Sequence, residues 1–177
     1  MIIKKDFVEN IEIKNVELGA GCNEFGKKYY PQCYLTTIDA DSIKQCKPKP
    51  KIDIYCDAYN TPFQDCRFEH VIICNPFGYG FKTKHDSSKL INEIVRILLN
   101  KGKIIIISNI RNSFFKANKI EQYFEEYKKT NNINFVFKME EIDAEKIYPD
   151  IMFFQSDGET QTKPSHQVEL VIEKECS

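Results

Sequence analysis

A glycine turn near the start of the chain is the first feature whose residues could do chemistry. Residues 16–21 read VELGAG, so Glu17 precedes Gly19 and Gly21, with Ala20 between the two glycines. Glycines in such a turn let a ligand approach the backbone closely, because no side chain shields it. The same turn also suits a purely structural bend. The motif alone therefore leaves a ligand site and a structural bend as equal interpretations.

Small or polar residues also follow the next three apolar runs. Asp39 and Ala40 end the second run, about 20 residues after the first glycine, where an acidic side chain can accept hydrogen bonds from both hydroxyls of a ribose. Asp57 and Ala58 follow the third run, and Asn75 follows the fourth. Because the carboxyl ends of parallel strands share one edge of a sheet, these residues are expected to meet in one crevice. A nucleoside-containing ligand is the predicted occupant.

The apolar runs themselves predict the fold. The first five lack polar alternation, as expected of parallel strands that helices cover on both faces. The segments between them are long enough for crossover connections. The pattern predicts an α/β fold with a doubly wound, mostly parallel, seven-stranded sheet and helices on both faces. The strand candidates are residues 16–18, 35–38, 52–55, 70–74, 103–108, 134–138 and 167–172.

Two amphipathic helices are predicted in the second half of the chain. Asp86 or Ser87 is expected to cap the first, which runs to about Leu98 and ends at Gly102. Apolar residues at helical spacing within 114–127 predict the second.

A region rich in turn residues follows these helices. Residues 140–164 contain two prolines and a glycine without a helical period, which predicts a long loop. Within it, residues 152–154 are either a short edge strand or a substrate flap.

Composition limits the class of protein. The 177 residues fit one domain over 1–177, and a net charge of −1 gives no overall attraction to nucleic acid or anionic membrane. No apolar run approaches the roughly 20 residues that span a bilayer. The N-terminus lacks the pattern of a secretory signal, so a cytoplasmic location is expected. The seven cysteines contain no C-x-x-C pair and are interpreted as reduced, buried, small apolar residues.

These segments together resemble the class I S-adenosylmethionine-dependent methyltransferases, from about residue 13 to the C-terminus. The resemblance implies S-adenosylmethionine as the cofactor and a C-terminal antiparallel hairpin. It places Glu17 at the methionine moiety, Gly19 and Gly21 along it, Asp39 at the ribose and Asp57 at the adenine amine. The implied cofactor-binding residues are Glu17, Gly19, Ala20, Gly21, Asp39, Ala40, Asp57, Ala58 and Asn75.

Residues 75–79, NPFGY, are the segment from which the methyl acceptor is predicted. They resemble the Asn-Pro-Pro-aromatic motif of amine methyltransferases, in which the Asn side chain and a Pro carbonyl accept hydrogen bonds from the target amine and the aromatic ring stacks on it. Here Phe77 replaces the second proline and a glycine replaces the aromatic residue. Either Phe77, Tyr79 or Phe81 supplies the stacking, or Asn75 and Pro76 only terminate a strand. Asn75, Pro76 and Tyr79 are the candidate catalytic residues.

The acceptor itself is not determined by this pattern. A hydroxyl acceptor would need a base, for which His85 is the nearest candidate, with Tyr79 behind it. Small molecules, proteins and nucleic acids all stay open as acceptors, and a partner subunit or a second copy of the chain could complete the pocket.

Two other functions stay open. One is a binding module that keeps the fold without catalysis. The other is a nicotinamide-dependent oxidoreductase. Asn23 stands where many methyltransferases have a third glycine, and Glu24 stands where dinucleotide-binding turns usually have theirs, which disfavours the oxidoreductase.

Overall fold

The structure is a computed structural model that describes residues 10–38, 40–154 and 160–175. Elements within these ranges alternate between strand and helix for most of the chain. The strands are β1 (Asn15–Glu17), β2 (Cys33–Thr37), β3 (Ile54–Tyr55), β4 (Phe68–Cys74), β5 (Leu98–Ser108), β6 (Ile133–Glu141), β7 (Phe153–Phe154), β8 (Gln161–Thr162) and β9 (His166–Lys174). The helices are α1 (Phe25–Tyr29), α2 (Lys84–Ile97), α3 (Ala117–Lys128) and α4 (Ala144–Ile147).

Seven of the strands form one mixed sheet in the order β3-β2-β1-β4-β5-β9-β6. The first five strands of the chain are parallel, whereas β9 runs antiparallel to both β5 and β6. The predicted seven-stranded, mostly parallel sheet with a C-terminal antiparallel hairpin is therefore confirmed. All seven strand candidates lie in strands of this sheet, with shifts of a few residues at their ends.

Side chains of the central strands are buried on both faces of the sheet. Ile104 and Ile106 join a core cluster that also contains residues of α2 and α3. Their neighbours Ile105 and Ile107 point the other way, into a cluster that contains Phe25 of α1. Because successive side chains of a strand alternate between faces, a strand covered on both sides must be apolar throughout. This explains the unbroken run of isoleucines in β5.

The boundaries of α2 and α3 differ from the prediction. Thr83 caps α2, and its Oγ1 accepts a hydrogen bond from the Asp86 backbone N–H at 3.1 Å. The expectation of a cap at Asp86 or Ser87 was wrong by one turn, since both lie inside the helix. Leu98 already has extended backbone, so the helix ends before Gly102, which lies within β5. Phe114 lies in the loop before α3.

The predicted long loop contains short elements of its own. Strand β6 extends to Glu141, and α4 follows it. Strands β7 and β8 then form a separate two-stranded ribbon, in which Phe153 pairs with Thr162. Of the two interpretations of residues 152–154, the short strand is the one observed. Among the described residues, no helix is long and apolar enough to cross a bilayer.

The strand order has one consequence for a ligand site. Strand β1 lies between β2 and β4, so the chain crosses from one side of β1 to the other between β3 and β4. In open α/β sheets, ligands bind beyond the carboxyl ends of the strands at such a switch point. A ligand is therefore expected beside the residues that follow β1 and β4.

Candidate functional site

The turn after β1 is held firmly by its neighbouring strands. The Leu18 N–H donates to the carbonyl of Ile72 in β4 at 2.9 Å, and the Ala20 N–H donates to the carbonyl of Thr36 in β2 at 2.6 Å. The Thr36 hydroxyl donates to the Glu17 carbonyl at 3.1 Å and accepts from the Gly19 N–H at 3.3 Å. These bonds fix the turn at the switch point between β2 and β4.

The two glycines of this turn have different surroundings. Gly19 has a φ of +64°, and a Cβ placed on it would lie 2.5 Å from the Tyr79 ring. Gly21 has no atom within 4 Å of its Cβ position, and its φ lies outside the left-handed region. Gly19 is therefore required by its backbone conformation and by the packing of Tyr79. Gly21 leaves the backbone open to a ligand.

Glu17 is buried beneath the turn, with 1% of its surface exposed. Its Oε2 accepts a hydrogen bond from the Gly26 N–H in α1 at 2.6 Å. Burial raises the pKa of this carboxyl to about 7, and the bond from Gly26 opposes that shift. The structure thus places Glu17 as an anchor of α1, whereas the sequence predicted a side chain that reaches the cofactor.

Tyr79 comes from the loop after β4 and covers the turn. Its hydroxyl donates to the Leu18 carbonyl at 2.5 Å. Burial raises the pKa of Tyr79 well above its ordinary value, with the nearby Glu17 as a second cause. A phenol that is a committed donor with a raised pKa is a poor general base. The geometry therefore indicates that the role of Tyr79 is to pack over Gly19.

Asn75 and Pro76 at the end of β4 present two acceptor oxygens to one donor. The Asn112 carboxamide nitrogen donates to Asn75 Oδ1 at 2.7 Å and to the Pro76 carbonyl at 2.9 Å. The Ser108 hydroxyl also donates to Asn75 Oδ1, at 3.1 Å. Asn75 itself has a φ of +50°, which an asparagine tolerates better than most residues.

Asn112 was not among the predicted site residues. It follows β5, the neighbour of β4 in the sheet, so its position after a strand end was the available signal. That its side chain turns back towards β4 depends on the fold of residues 109–115. There its Oδ1 accepts from the Phe114 N–H at 2.8 Å.

The three aromatic candidates for stacking are in different places. Phe81 is fully buried in the core, which excludes it. Tyr79 lies on Gly19. Phe77 is 70% exposed, and its ring centroid lies 5.5 Å from that of Phe114. Phe77 is therefore the one that faces solvent beside the two acceptor oxygens.

The remaining predicted residues lie along the same edge of the sheet or outside the described part. Asp57, after β3, is half-buried, and its Oδ1 accepts from the Tyr59 N–H at 2.9 Å. Ala58 is buried and Ala40 is exposed before a short 3-10 helix. Asp39, the predicted ribose ligand, lies outside the described residues. His85 is exposed in the first turn of α2.

The cysteines differ from the prediction. Cys22, directly after the glycine turn, is disulfide-bonded to Cys46 in the segment after β2. Cys66 is also disulfide-bonded. Cys33, Cys56 and Cys74 are free and buried, as predicted. The expectation of uniformly reduced cysteines was wrong, since spacing along the chain does not reveal which thiols the fold brings together.

Comparison with known proteins gives likenesses at the level of the fold. No protein-family model matches the chain. It is 27% identical over 101 residues to a demethylmenaquinone methyltransferase of Thermotoga maritima, a match that covers 53% of this chain and 42% of that protein. The chain thus matches less than half the length of this curated relative.

Two solved structures show the same architecture. An S-adenosylmethionine-dependent methyltransferase of Thermotoga maritima, described as a candidate histamine N-methyltransferase, has a TM-score of 0.58 at 14% identity, over 91% of this chain and 82% of its own. A protein described as a candidate methyltransferase, solved in complex with the Trm112 methyltransferase activator of Haloferax volcanii, has a TM-score of 0.59 at 12% identity, over 93% of this chain and 83% of its own. With the strand order described above, these likenesses show that the chain has the fold of the class I S-adenosylmethionine-dependent methyltransferases.

Proposed function

We propose that the chain transfers a methyl group from S-adenosylmethionine to an amine nitrogen. The observation that carries this proposal is the pair of acceptor oxygens, Asn75 Oδ1 and the Pro76 carbonyl, that converge on one NH₂ group at the end of β4. Two fixed acceptors suit an amine that must present its lone pair in a set direction. They do not suit the activation of a hydroxyl, which needs a base.

Two features at this edge of the sheet support a cofactor site. Gly21 leaves the backbone of the turn accessible, and Asp57 at the end of β3 is half-buried on the same edge of the sheet. We propose that Gly21 and Asp57 hold the cofactor, together with Ala40, Ala58 and the ribose-binding Asp39 that the sequence predicts. We leave Glu17 and Ala20, which the sequence also predicts, out of this set because each is 1% exposed. When bound, S-adenosylmethionine supplies a methyl carbon on a positively charged sulfur, which leaves with the C–S electron pair.

The chain's own residues then align the acceptor. Asn75 Oδ1 and the Pro76 carbonyl accept the two N–H bonds of the amine, so its lone pair points away from them. The N–C bond forms as the C–S bond breaks, and the methylated nitrogen afterwards releases one proton to solvent. Phe77 offers an exposed ring for a flat acceptor.

The test uses methyl-labelled S-adenosylmethionine with cell extract and mass spectrometry of the labelled products. A product labelled on nitrogen is expected with the wild-type protein. Asn75→Ala should lower its formation about a hundredfold, because misplacing the reacting atoms has effects of that size. Label on oxygen or carbon would contradict the amine assignment.

A second candidate function is a binding module without catalysis. The sequence leaves this alternative open because residues 75–79 depart from the Asn-Pro-Pro-aromatic motif. Saturable cofactor binding with no labelled product in any extract fraction would support this alternative.

We also propose that a partner subunit contributes to the protein's activity, in line with the neighbour solved with its activator. Light scattering of the purified chain and of its co-purified complexes tests this. A strictly monomeric chain that is fully active alone would overturn it.

A further inference from the structure

Asn112 places an NH₂ group between the two oxygens that the proposed function assigns to the acceptor amine. We propose that the Asn112 carboxamide is an internal occupant of the acceptor slot, and that a substrate must displace it with a planar group carrying two N–H bonds. This inference rests on the proposed function, which makes the two oxygens an acceptor site. The hydrogen bonds from Asn112 do not depend on cofactor binding.

The slot consists only of acceptors. Asn75 Oδ1 and the Pro76 carbonyl lie 2.7 and 2.9 Å from the same Asn112 nitrogen, so each takes one of its two hydrogens. A hydroxyl or a secondary amide has a single hydrogen and can bond to only one of the two oxygens, although Asn75 Oδ1 keeps its bond from Ser108. The slot therefore favours a primary amine or amide, which bonds to both oxygens, over a group with one hydrogen.

A second donor group, the Ser108 hydroxyl, holds the Asn75 side chain in its orientation. The Ser108 hydroxyl donates to Asn75 Oδ1 at 3.1 Å, from the end of β5. Two donors on one oxygen fix the carboxamide of Asn75 with its oxygen towards the slot. Rotation of the Asn112 side chain therefore vacates the slot without turning Asn75.

The surroundings suit a flat substrate. Phe77 is 70% exposed beside the slot and packs against Phe114. Lys82 Nζ lies 5.0 Å from the centroid of the Phe114 ring. Phe114 is also the residue whose N–H holds Asn112 Oδ1, so the aromatic surface and the occupant share one loop. An aromatic ring attached to an NH₂ group can stack here while it replaces Asn112.

The free-energy cost of displacing the Asn112 side chain from the slot is modest. Leaving the slot breaks two neutral hydrogen bonds, each with a small net contribution. An incoming NH₂ group restores both. Removing the occupant should therefore strengthen the binding of a matching ligand by about tenfold or more.

The probe is benzamide, compared with N-methylbenzamide and N,N-dimethylbenzamide, which carry one and no N–H bonds. Binding is followed by ¹H–¹⁵N NMR on the wild-type chain, on Asn112→Ala and on the same-loop control Arg111→Ala, at an exposed position. We expect Asn112→Ala to bind benzamide at least about tenfold more tightly than the wild type does, since the two freed acceptors each regain a bond. N,N-dimethylbenzamide should show no such gain, and Arg111→Ala should behave like the wild type.

Equal binding of benzamide to Asn112→Ala and to the wild type would overturn the proposal, as would equal gains for all three amides. If Asn112→Ala does not fold, the wild type provides the test. Its Asn112 side-chain NH₂ signals should shift as benzamide saturates the protein, and unchanged signals at saturation would overturn the proposal. A separate titration with S-adenosylmethionine shows whether the proposed function fails independently of the slot.

Discussion

The Tyr79 hydroxyl donates a hydrogen bond to the Leu18 carbonyl at 2.5 Å, and this bond joins the loop after β4 to the turn after β1. The two segments are those whose sequences predict the acceptor site and the cofactor site. The bond therefore links the two halves of the proposed active site.

Replacing Tyr79 by Phe keeps the ring over Gly19 and removes only the hydrogen bond. We expect the free energy of unfolding to fall by about 1–2 kcal/mol, because the Leu18 carbonyl loses a buried donor. Urea denaturation measures this, with Tyr123→Phe on α3 as the control. A loss in the control equal to that of Tyr79→Phe would contradict the role of this bond.

The two glycines of the turn should respond differently to alanine. Gly19→Ala meets both the left-handed backbone and the Tyr79 ring, so a loss of at least about 2 kcal/mol in unfolding free energy is expected. Part of this loss should disappear in Gly19→Ala combined with Tyr79→Ala, which a double-mutant cycle detects. Additive losses would show that Tyr79 does not restrict Gly19.

Gly21→Ala is the matched substitution at an open position. Its Cβ would contact nothing within 4 Å, and the change stiffens the unfolded chain, so stability should stay equal or rise by about 0.4–1 kcal/mol. The affinity for S-adenosylmethionine should nevertheless fall, because the new methyl group stands where a ligand would approach the backbone. Unchanged affinity would remove Gly21 from the proposed cofactor site.

The carboxyl of Glu17 should make stability depend on pH. Its pKa is raised from 4.5 to about 7 in the folded chain, so the unfolded chain loses this proton first as the pH rises. Glu17 therefore lowers stability progressively between about pH 4.5 and 7, by an amount on the order of 3 kcal/mol when complete. Below pH 4.5 this loss is absent.

Glu17→Gln removes that titration and keeps an oxygen for the Gly26 N–H. Urea unfolding at pH 5, 6, 7 and 8 should show the variant gaining stability relative to the wild type as the pH rises. Glu125→Gln, at an exposed site on α3, is the control. The same pH profile for wild type and Glu17→Gln would contradict the burial of a titrating carboxyl.

The Cys22–Cys46 disulfide should stabilise the fold. It closes a loop over a sequence separation of 24 residues. Loop-closure entropy for that length is worth about 3–4 kcal/mol, and Cys22→Ser or a reductant should remove it. Thiol alkylation and mass spectrometry of protein isolated without reductant check the pairing. Full alkylation of Cys22 and Cys46 would contradict it and would favour the cytoplasmic location that the sequence predicts.

The sequence was sufficient for the sheet because both faces of its central strands are buried. Four consecutive isoleucines in β5 fit a strand that is buried on both faces, and the crossover segments then allow few strand orders. The glycine turn and the position of Asn75 after β4 followed from the same pattern. These features depend on residues close to one another in the chain.

The features that the sequence did not reveal depend on contacts between distant segments. The direction of the Glu17 side chain is set by Gly26 in α1, and that of Asn112 by the end of β4. The Cys22–Cys46 pair likewise requires the segments after β1 and β2 to meet. No local pattern of residue types encodes these contacts. The sequence therefore predicted Asn75 and Pro76 of the acceptor slot but not Asn112.

Isothermal titration of the wild-type chain with S-adenosylmethionine tests the central claim most directly. We predict saturable binding at one site, with a dissociation constant within the range of about 1 μM to 1 mM that is usual for enzyme substrates. NAD should give no saturable heat under the same conditions. Absence of binding at about 1 mM S-adenosylmethionine, or preferential binding of NAD, would contradict the assignment of this crevice to methyl transfer.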